Sequence, residues 1–358
     1  MVKAIRYYRA RRHTSPIPSL DRQAGKPGPR TTNLERQRPG AGPYGLMGIE
    51  TAVRGGARCH SFNGSPWGGK PAYDGPVQLA PGSQIGVYVL ESLLGSGAFG
   101  VVWLAHRTDT GERVAIKVLH PEAAVSRESV ERFRREAWAL SRLQSPHIAR
   151  MHELLTGPPV EMALVMEYIE GELLSDVFKR ARFSVEDAMG LGVGILAGVA
   201  EMQSMGIIHR DIKPENVILR PNDSGWHAVI FDFNLSRIKD AKGKTSSLTS
   251  MHAAIGTVPY MSPEQLLDAR RVTEASDVYS VGTILYRAVS GVLPFDTRES
   301  LREKLQQECR PLVTGREDPM AKGFERMVNR SLRRRPAERY AKAQEMLDDL
   351  AKLASEGQ

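Results

Sequence analysis

His209-Arg210-Asp211-Ile212-Lys213-Pro214-Glu215-Asn216 is the stretch on which the reading of this chain turns. It follows a helical pattern and leads into a short apolar run, Val217–Leu219, that reads as a strand. A second apolar run, Ala228–Phe231, follows and delivers Asp232. Upstream, Val87–Leu94, Val101–His106 and Arg113–Leu119 are short apolar-rich runs around a glycine turn, the pattern of consecutive antiparallel strands. Ser129–Leu143 places Val130, Phe133, Ala137 and Leu140 on one helical face, and Ala163–Tyr168 returns to strand. From Gly171 to Leu353 the pattern is mostly helical. Strands with one helix, then a helical half, predict an α+β protein of two lobes with a hinge near Glu167–Gly171.

Gly95-Ser96-Gly97-Ala98-Phe99-Gly100-Val101-Val102 has the spacing G-x-G-x-x-G-x-V. Glycines let a hairpin backbone approach phosphates closely, because no Cβ intervenes. A dinucleotide site would need a helix directly after the glycines, whereas Val101–Leu104 reads as a strand. A plain glycine-rich hairpin is the competing reading. Val114-Ala115-Ile116-Lys117 then sets one lysine near a strand end among apolar neighbours, where burial is costly without a partner. Glu136, on the same broad side of its helix as Phe133 and Leu140, could be that partner. A Lys–Glu pair that holds phosphate oxygens in register serves phosphoryl transfer.

Six residues of the opening stretch, all but Ile212 and Glu215, match fixed positions of a single pattern. At about 5% per residue type, chance gives on the order of 10⁻⁸ per start position. The sequence resembles the eukaryotic-type (Hanks-type) protein kinase superfamily, in the form of the bacterial serine/threonine kinases, over about Tyr88 to Leu353. The resemblance implies a two-lobed α+β protein kinase fold, with a small antiparallel sheet lobe and a larger helical lobe. It implies a kinase domain over 86–355, with an N-lobe at 86–168 and a C-lobe at 172–355. It also implies ATP and Mg²⁺, or Mn²⁺ in its place, as cofactors, and protein substrates as partners.

Residue by residue, the resemblance makes Asp211 the group that orients the substrate hydroxyl and takes its proton. Lys213 reaches the transferring phosphate and marks serine/threonine rather than tyrosine kinases. Asn216 and Asp232 are the metal ligands, and Lys117 and Glu136 complete the catalytic set. Leu94, Val102, Ala115 and Ile218 sandwich adenine, although each one reads equally as ordinary core. Gly95, Ser96, Gly97, Ala98, Phe99 and Gly100 cover the phosphates. Met166 is the gatekeeper, and Glu167, Tyr168 and Ile169 form the hinge. Met151, Leu140, Phe233 and His209 form the spine joining the lobes. Glu264, in Ser262-Pro263-Glu264, pairs with Arg339, and Asp277 braces the catalytic loop. Thr257 touches the catalytic aspartate, and Glu215 serves either basic substrates or solvation. Asn234 departs from the family pattern, standing where Asp-Phe-Gly has its glycine. Asn is among the non-glycine residues that best tolerate positive φ, at a cost of about 1 kcal/mol, so the substitution reads as tolerated. It removes no ligand, shifts the balance between active and inactive forms, and is the one feature that favours a pseudokinase. Between Leu235 and Ile255 lie Thr245, Ser246, Ser247, Thr249 and Ser250. Arg210 could receive a phosphate there. Thr249 is the expected autophosphorylation site, against a polar loop with incidental hydroxyls, and a transient dimer would serve that reaction.

Charge and composition narrow the alternatives. The net charge of +8 divides unevenly. Residues 1–85 hold 13 Lys+Arg against 4 Asp+Glu, and the remainder holds 36 against 37. The folded part is close to neutral, which argues against a nucleic-acid-binding domain and leaves the basicity to the tail. That tail, with 10 Pro and 13 Gly, has the composition of a disordered segment, unless translation starts at Met47. Cys59 and Cys309 make neither a disulfide framework nor a metal site. The longest largely apolar run, Ala188–Ala200, is too short for a membrane span, and no secretory signal opens the chain. A cytoplasmic protein is expected; an Arg-rich transit segment is the other reading of the first residues. A pseudokinase would lack part of the set Lys117, Glu136, Asp211, Asn216 and Asp232, and a small-molecule phosphotransferase would lack the Gly256–Glu264 pattern.

Overall fold

The alternation of β-branched and small residues in the first half folds into an antiparallel sheet. The computed structural model describes residues 79–97, 100–120, 134, 137, 138, 140–223, 225–232, 258–295 and 304–356. Among them, β1 (Gln84–Ile85), β2 (Tyr88–Gly97), β3 (Gly100–Arg107), β4 (Arg113–Leu119), β5 (Met151–Gly157) and β6 (Val160–Glu167) form one sheet in the order β1-β2-β3-β4-β6-β5. Every neighbouring pair is antiparallel. Successive side chains in a strand point to opposite faces. Trp103, Ala105, Val114, Ile116 and Val118 share one face and close a core with Tyr88, Leu90 and Val165. Val102, Leu104, Ala115 and Lys117 share the other, where the register sets Val102 opposite Lys117 and Leu104 opposite Ala115. Tyr88 on β2 donates its hydroxyl to Glu153 Oε1 on β5 at 2.5 Å. Those strands stand near opposite ends of the order, so the sheet curls until its edges meet.

Strand β5 goes beyond the sequence expectation, which ran from the helix directly to β6. A register shift between Met151 and Glu153 breaks its two-residue period, and the apolar alternation disappears with it. The helix expected over Ser129–Leu143 is present at Arg134, Ala137, Trp138 and Leu140 and has given way to a turn by Ser141.

The second half is mostly helical, with a three-stranded sheet of β7 (Glu172–Leu173), β8 (Val217–Asn222) and β9 (Gly225–Ile230). Among the described residues its full helices are α1 (Leu174–Arg180), α2 (Val185–Ser204), α3 (Pro263–Leu267), α4 (Glu274–Ser290), α5 (Pro319–Ser331) and α6 (Ala343–Glu356). Ser184 caps α2 by accepting the Asp187 amide, and most α2 residues are buried, which makes it the central helix. It packs against α4, α6 and β9. Gly194 permits the last contact: a Cβ there would lie 3.2 Å from the Ala228 Cβ. Among the described residues, no helix is long and apolar enough to cross a membrane.

Candidate active site

A hairpin brings two expected ligands together. Asn216 ends a short 3-10 turn just before β8, and Asp232 comes two residues after β9. Because β8 and β9 run antiparallel, their open ends meet, and the Phe231 amide bonds the Asn216 carbonyl at 3.0 Å. Asn216 Nδ2 donates to the Asp211 carbonyl at 2.9 Å and to Asp211 Oδ2 at 3.2 Å. Lys213 Nζ lies 3.0 Å from the same carboxylate oxygen. Asp211 is therefore a buried carboxylate, its side chain 3% exposed, flanked by one cation and one amide.

The backbone that presents Asp211 is constrained. Arg210 has φ of 65° and Asp232 has φ of 58°, the left-handed region that non-glycine residues seldom occupy. Asp277, from α4, holds the first of these bends: its carboxylate accepts the His209 amide at 2.9 Å and the Arg210 amide at 2.8 Å. Burial pushes the Asp277 pKa up to about 6, against the pull of those two amides. His209 is likewise buried, which draws its pKa down to about 4 and keeps the ring neutral at pH 7. Strained backbone over-determined by its surroundings marks a site where geometry serves function.

The sheet supplies the other wall. Lys117 forms an ion pair with Asp232, and its side chain is only 11% exposed. The register runs Gly95, Val102, Lys117 and Leu164 across four strands. A Cβ on Gly95 would meet nothing within 4 Å, which leaves open space above the loop for a ligand to approach the backbone. Gly100 differs: a Cβ there would stand 2.1 Å from the Val118 carbonyl, so this glycine is required by the sheet itself. Val102, Ala115 and Ile218 are half-buried, whereas Leu94 is 46% exposed at the rim. Met166 and Ile169 are buried, and Ile169 packs with Ala149, Val229 and Ile218. Glu167 is tied to the C-terminal half by an ion pair with Arg220 and accepts the Arg150 amide at 3.2 Å. Met151, Leu140 and His209, three of the residues expected in the spine, are buried.

On the far side of Asp211, Glu264 and Arg339 form a two-pronged pair at 2.8 and 2.9 Å, almost fully enclosed. Ser276 donates to the same carboxylate at 2.7 Å. Burial alone would raise the Glu264 pKa, but Arg339 and Ser276 hold it below its ordinary value. Gln265 joins these residues without any sign of it in the sequence pattern of the site. Its Oε1 accepts the Ser262 amide at 2.9 Å, and its Nε2 donates to the Arg210 carbonyl at 2.8 Å, so it ties this wall to the residue before Asp211. The S-x-x-Q spacing of a capping box was the available signal.

The expected residues Glu136, Ala98, Phe99, Phe233, Asn234, Thr249 and Thr257 lie outside the described residues. Among the described residues no cluster of three or more His, Cys, Asp or Glu side chains forms a metal site. Asp232 and Asn216 still suit a hard cation. Mg²⁺ typically takes one or two protein oxygens and leaves its other positions to water and substrate phosphates.

The family model for the protein kinase domain matches residues 88–350. The serine/threonine-protein kinase pkn2 of Myxococcus xanthus is 36% identical over 282 residues, 76% of this chain and 33% of that one. PkaA of Streptomyces coelicolor, also a serine/threonine-protein kinase, is 35% identical over 265 residues, 70% of this chain and 48% of the relative. The chain thus spans a third to a half of the length of the curated relatives it matches. Among solved structures, the kinase domain of PknI from Mycobacterium tuberculosis superposes with a TM-score of 0.55 at 22% identity, covering 77% of this chain and all of that one. That likeness bears on the fold.

Proposed function

This chain belongs to the protein kinase family, and we propose that its 86–355 region transfers the γ-phosphoryl group of ATP to serine and threonine hydroxyls of proteins. The observation that carries the reading is the convergence on Asp211 of the Lys213 ammonium and the Asn216 amide, at the end of the hairpin whose Asp232 pairs with Lys117.

When bound, ATP supplies the phosphoryl group, and a divalent cation, Mg²⁺ in this reading, neutralises charge that develops on it. The residues do the positioning. Asp211 accepts a hydrogen bond from the substrate hydroxyl and then its proton. Lys213 sits beside that carboxylate, where its charge opposes the negative charge of transfer. Asn216 and Asp232 offer oxygens to the cation from the open end of one hairpin. Lys117, aligned with the glycine-rich loop through Val102, holds phosphate oxygens. Asp277 keeps the loop bent, so Asp211 needs no reorganisation at the moment of reaction.

The same reading makes Thr249 an autophosphorylation site on the activation segment, with Arg210 as the receiving cation. One experiment tests both parts: radiolabelled ATP with a basic model protein, comparing the native chain and Asp211→Asn, followed by mass spectrometry of the chain itself. The expected result is labelling that falls about 10²–10⁴-fold in the variant, the usual worth of a general base. Modification is expected within residues 235–255 of the native chain alone. Equal labelling by both proteins, or none by either, overturns the kinase reading. An active enzyme unmodified in that segment overturns the autophosphorylation reading.

A further inference from the structure

Lys304 is 1% exposed, which makes it among the most enclosed large side chains of the molecule. A buried ammonium is costly unless it is compensated. Among the described residues it forms no ion pair with a carboxylate. Its compensation is backbone and aromatic: Nζ donates to the Val258 carbonyl at 3.2 Å and to the Pro259 carbonyl. The rings of Tyr279 and Phe295 lie 5.2 and 6.0 Å away, within cation–π range. Arg339 lies 4.8 Å from the same Tyr279 ring, so Lys304 shares a wall with the Glu264–Arg339 pair.

The two carbonyls belong to a segment that is also held at Tyr260 and Ser262. Ser280 Oγ donates to the Tyr260 carbonyl at 2.9 Å, and Arg287 donates to the Tyr260 hydroxyl at 2.5 Å. The Ser262 amide is held by Gln265, which reaches on to the Arg210 carbonyl beside Asp211. Val258–Ser262 is therefore a shelf fixed to the catalytic loop at one end and to Lys304 at the other. A methionine would fill much the same volume with no charge to desolvate. What the amine adds is two directed bonds to this backbone.

We propose that Lys304 is a positioning residue for the protein-substrate side of the site, its ammonium fixing the Val258–Pro259 backbone on which a peptide lies beside Asp211. The inference rests on the kinase reading above and adds to it a residue that nothing near it in sequence singles out.

Protonation gives it a measurable signature. Burial draws the Lys304 pKa down to about 7, and Cys309, Arg339 and Glu264 are the charged or titratable groups that act on it most. Tyr279 faces it from α4, and Arg334 donates to the adjacent Leu305 carbonyl at 3.2 Å. As pH rises past about 7 the ammonium loses its charge, and charge-assisted bonds to the two carbonyls weaken to ordinary ones.

The test uses the full chain as native protein, Lys304→Met and Lys304→Arg, assayed with ATP and a basic model protein from pH 6 to 8.5. The methionine variant is expected to raise the KM for the protein substrate about tenfold, the scale of a lost charge-assisted bond. The KM for ATP stays within about twofold. Arginine, charged throughout, restores most of the protein KM and removes its rise above pH 7. Hydrogen–deuterium exchange on the same proteins without ATP is expected to show faster exchange at the Tyr260–Ser262 amides in the methionine variant. A protein KM unchanged by methionine, or both KM values rising together, overturns the proposal. Native-like exchange at 260–262 overturns it independently of activity. An inactive native chain overturns the kinase reading instead, and the exchange measurement then decides on Lys304 alone.

Discussion

Glu264 and Arg339 stand 75 residues apart in sequence and make two parallel bonds inside the helical half. Their pairing shows what a single residue contributes. Removing one partner of such an enclosed pair leaves an uncompensated charge and typically costs about 3–5 kcal/mol. Glu264→Gln is expected to lose that much at pH 7, read from denaturant midpoints. The sign of its pH dependence follows from linkage. The folded pKa of Glu264 lies below the ordinary 4.5, so the unfolded chain binds more protons in the interval between them. The contribution is fully present above about 4.5 and fades as pH falls through the folded value. The gap between native protein and variant should therefore narrow in acid. A constant gap down to pH 3 would show that the loss comes from packing.

At the scale of the element, two glycines in one hairpin separate binding from folding. Gly95 has open space where a Cβ would go, while Gly100 has the Val118 carbonyl at 2.1 Å. Gly95→Ala is expected to leave the melting temperature unchanged and to raise the KM for ATP. Gly100→Ala is expected to destabilise by about 1–3 kcal/mol, the usual cost of overpacking, because backbone must shift in β4. The opposite pattern would reverse the assignment of which glycine faces the ligand. The β8–β9 hairpin is the other decisive element, since its register alone brings Asn216 and Asp232 to the same end.

The whole molecule has its two halves joined at the site by Lys117–Asp232 and at the hinge by Glu167–Arg220. A ligand that binds only the folded form stabilises it by about 2.7 kcal/mol at 100 times its dissociation constant. ATP with Mg²⁺ is expected to raise the unfolding free energy of the native chain by that amount at that concentration. Asp232→Asn removes one half of the pair with Lys117 and, on the proposed reading, a ligand of the cation, so most of the shift should vanish. An undiminished shift in the variant would place the nucleotide elsewhere.

The two-lobed order of strands and helices is legible in the sequence, and so is the spacing of the groups in His209–Asn216 and of Lys117. Each depends on local spacing: a loop fixes which side chains stand two or five residues apart, and the period of apolar residues fixes strand or helix. Glu264, Asp277 and Arg339 were legible as residues, but their partners were seen only by resemblance. Strand β5 was hidden because a register shift removed the alternation that would have announced it. Gln265 is legible only as a cap residue, because nothing in that spacing says that its amide also reaches Arg210. Lys304 left no local trace at all. It reads as one more charge after Arg302 and Glu303, and only the tertiary structure buries it against carbonyls 45 and 46 residues away. The physical reason is the same throughout. Sequence determines which groups are available and how their neighbours along the chain are spaced, whereas desolvation and long-range partners, which decide what a charge does, exist only once the chain has folded.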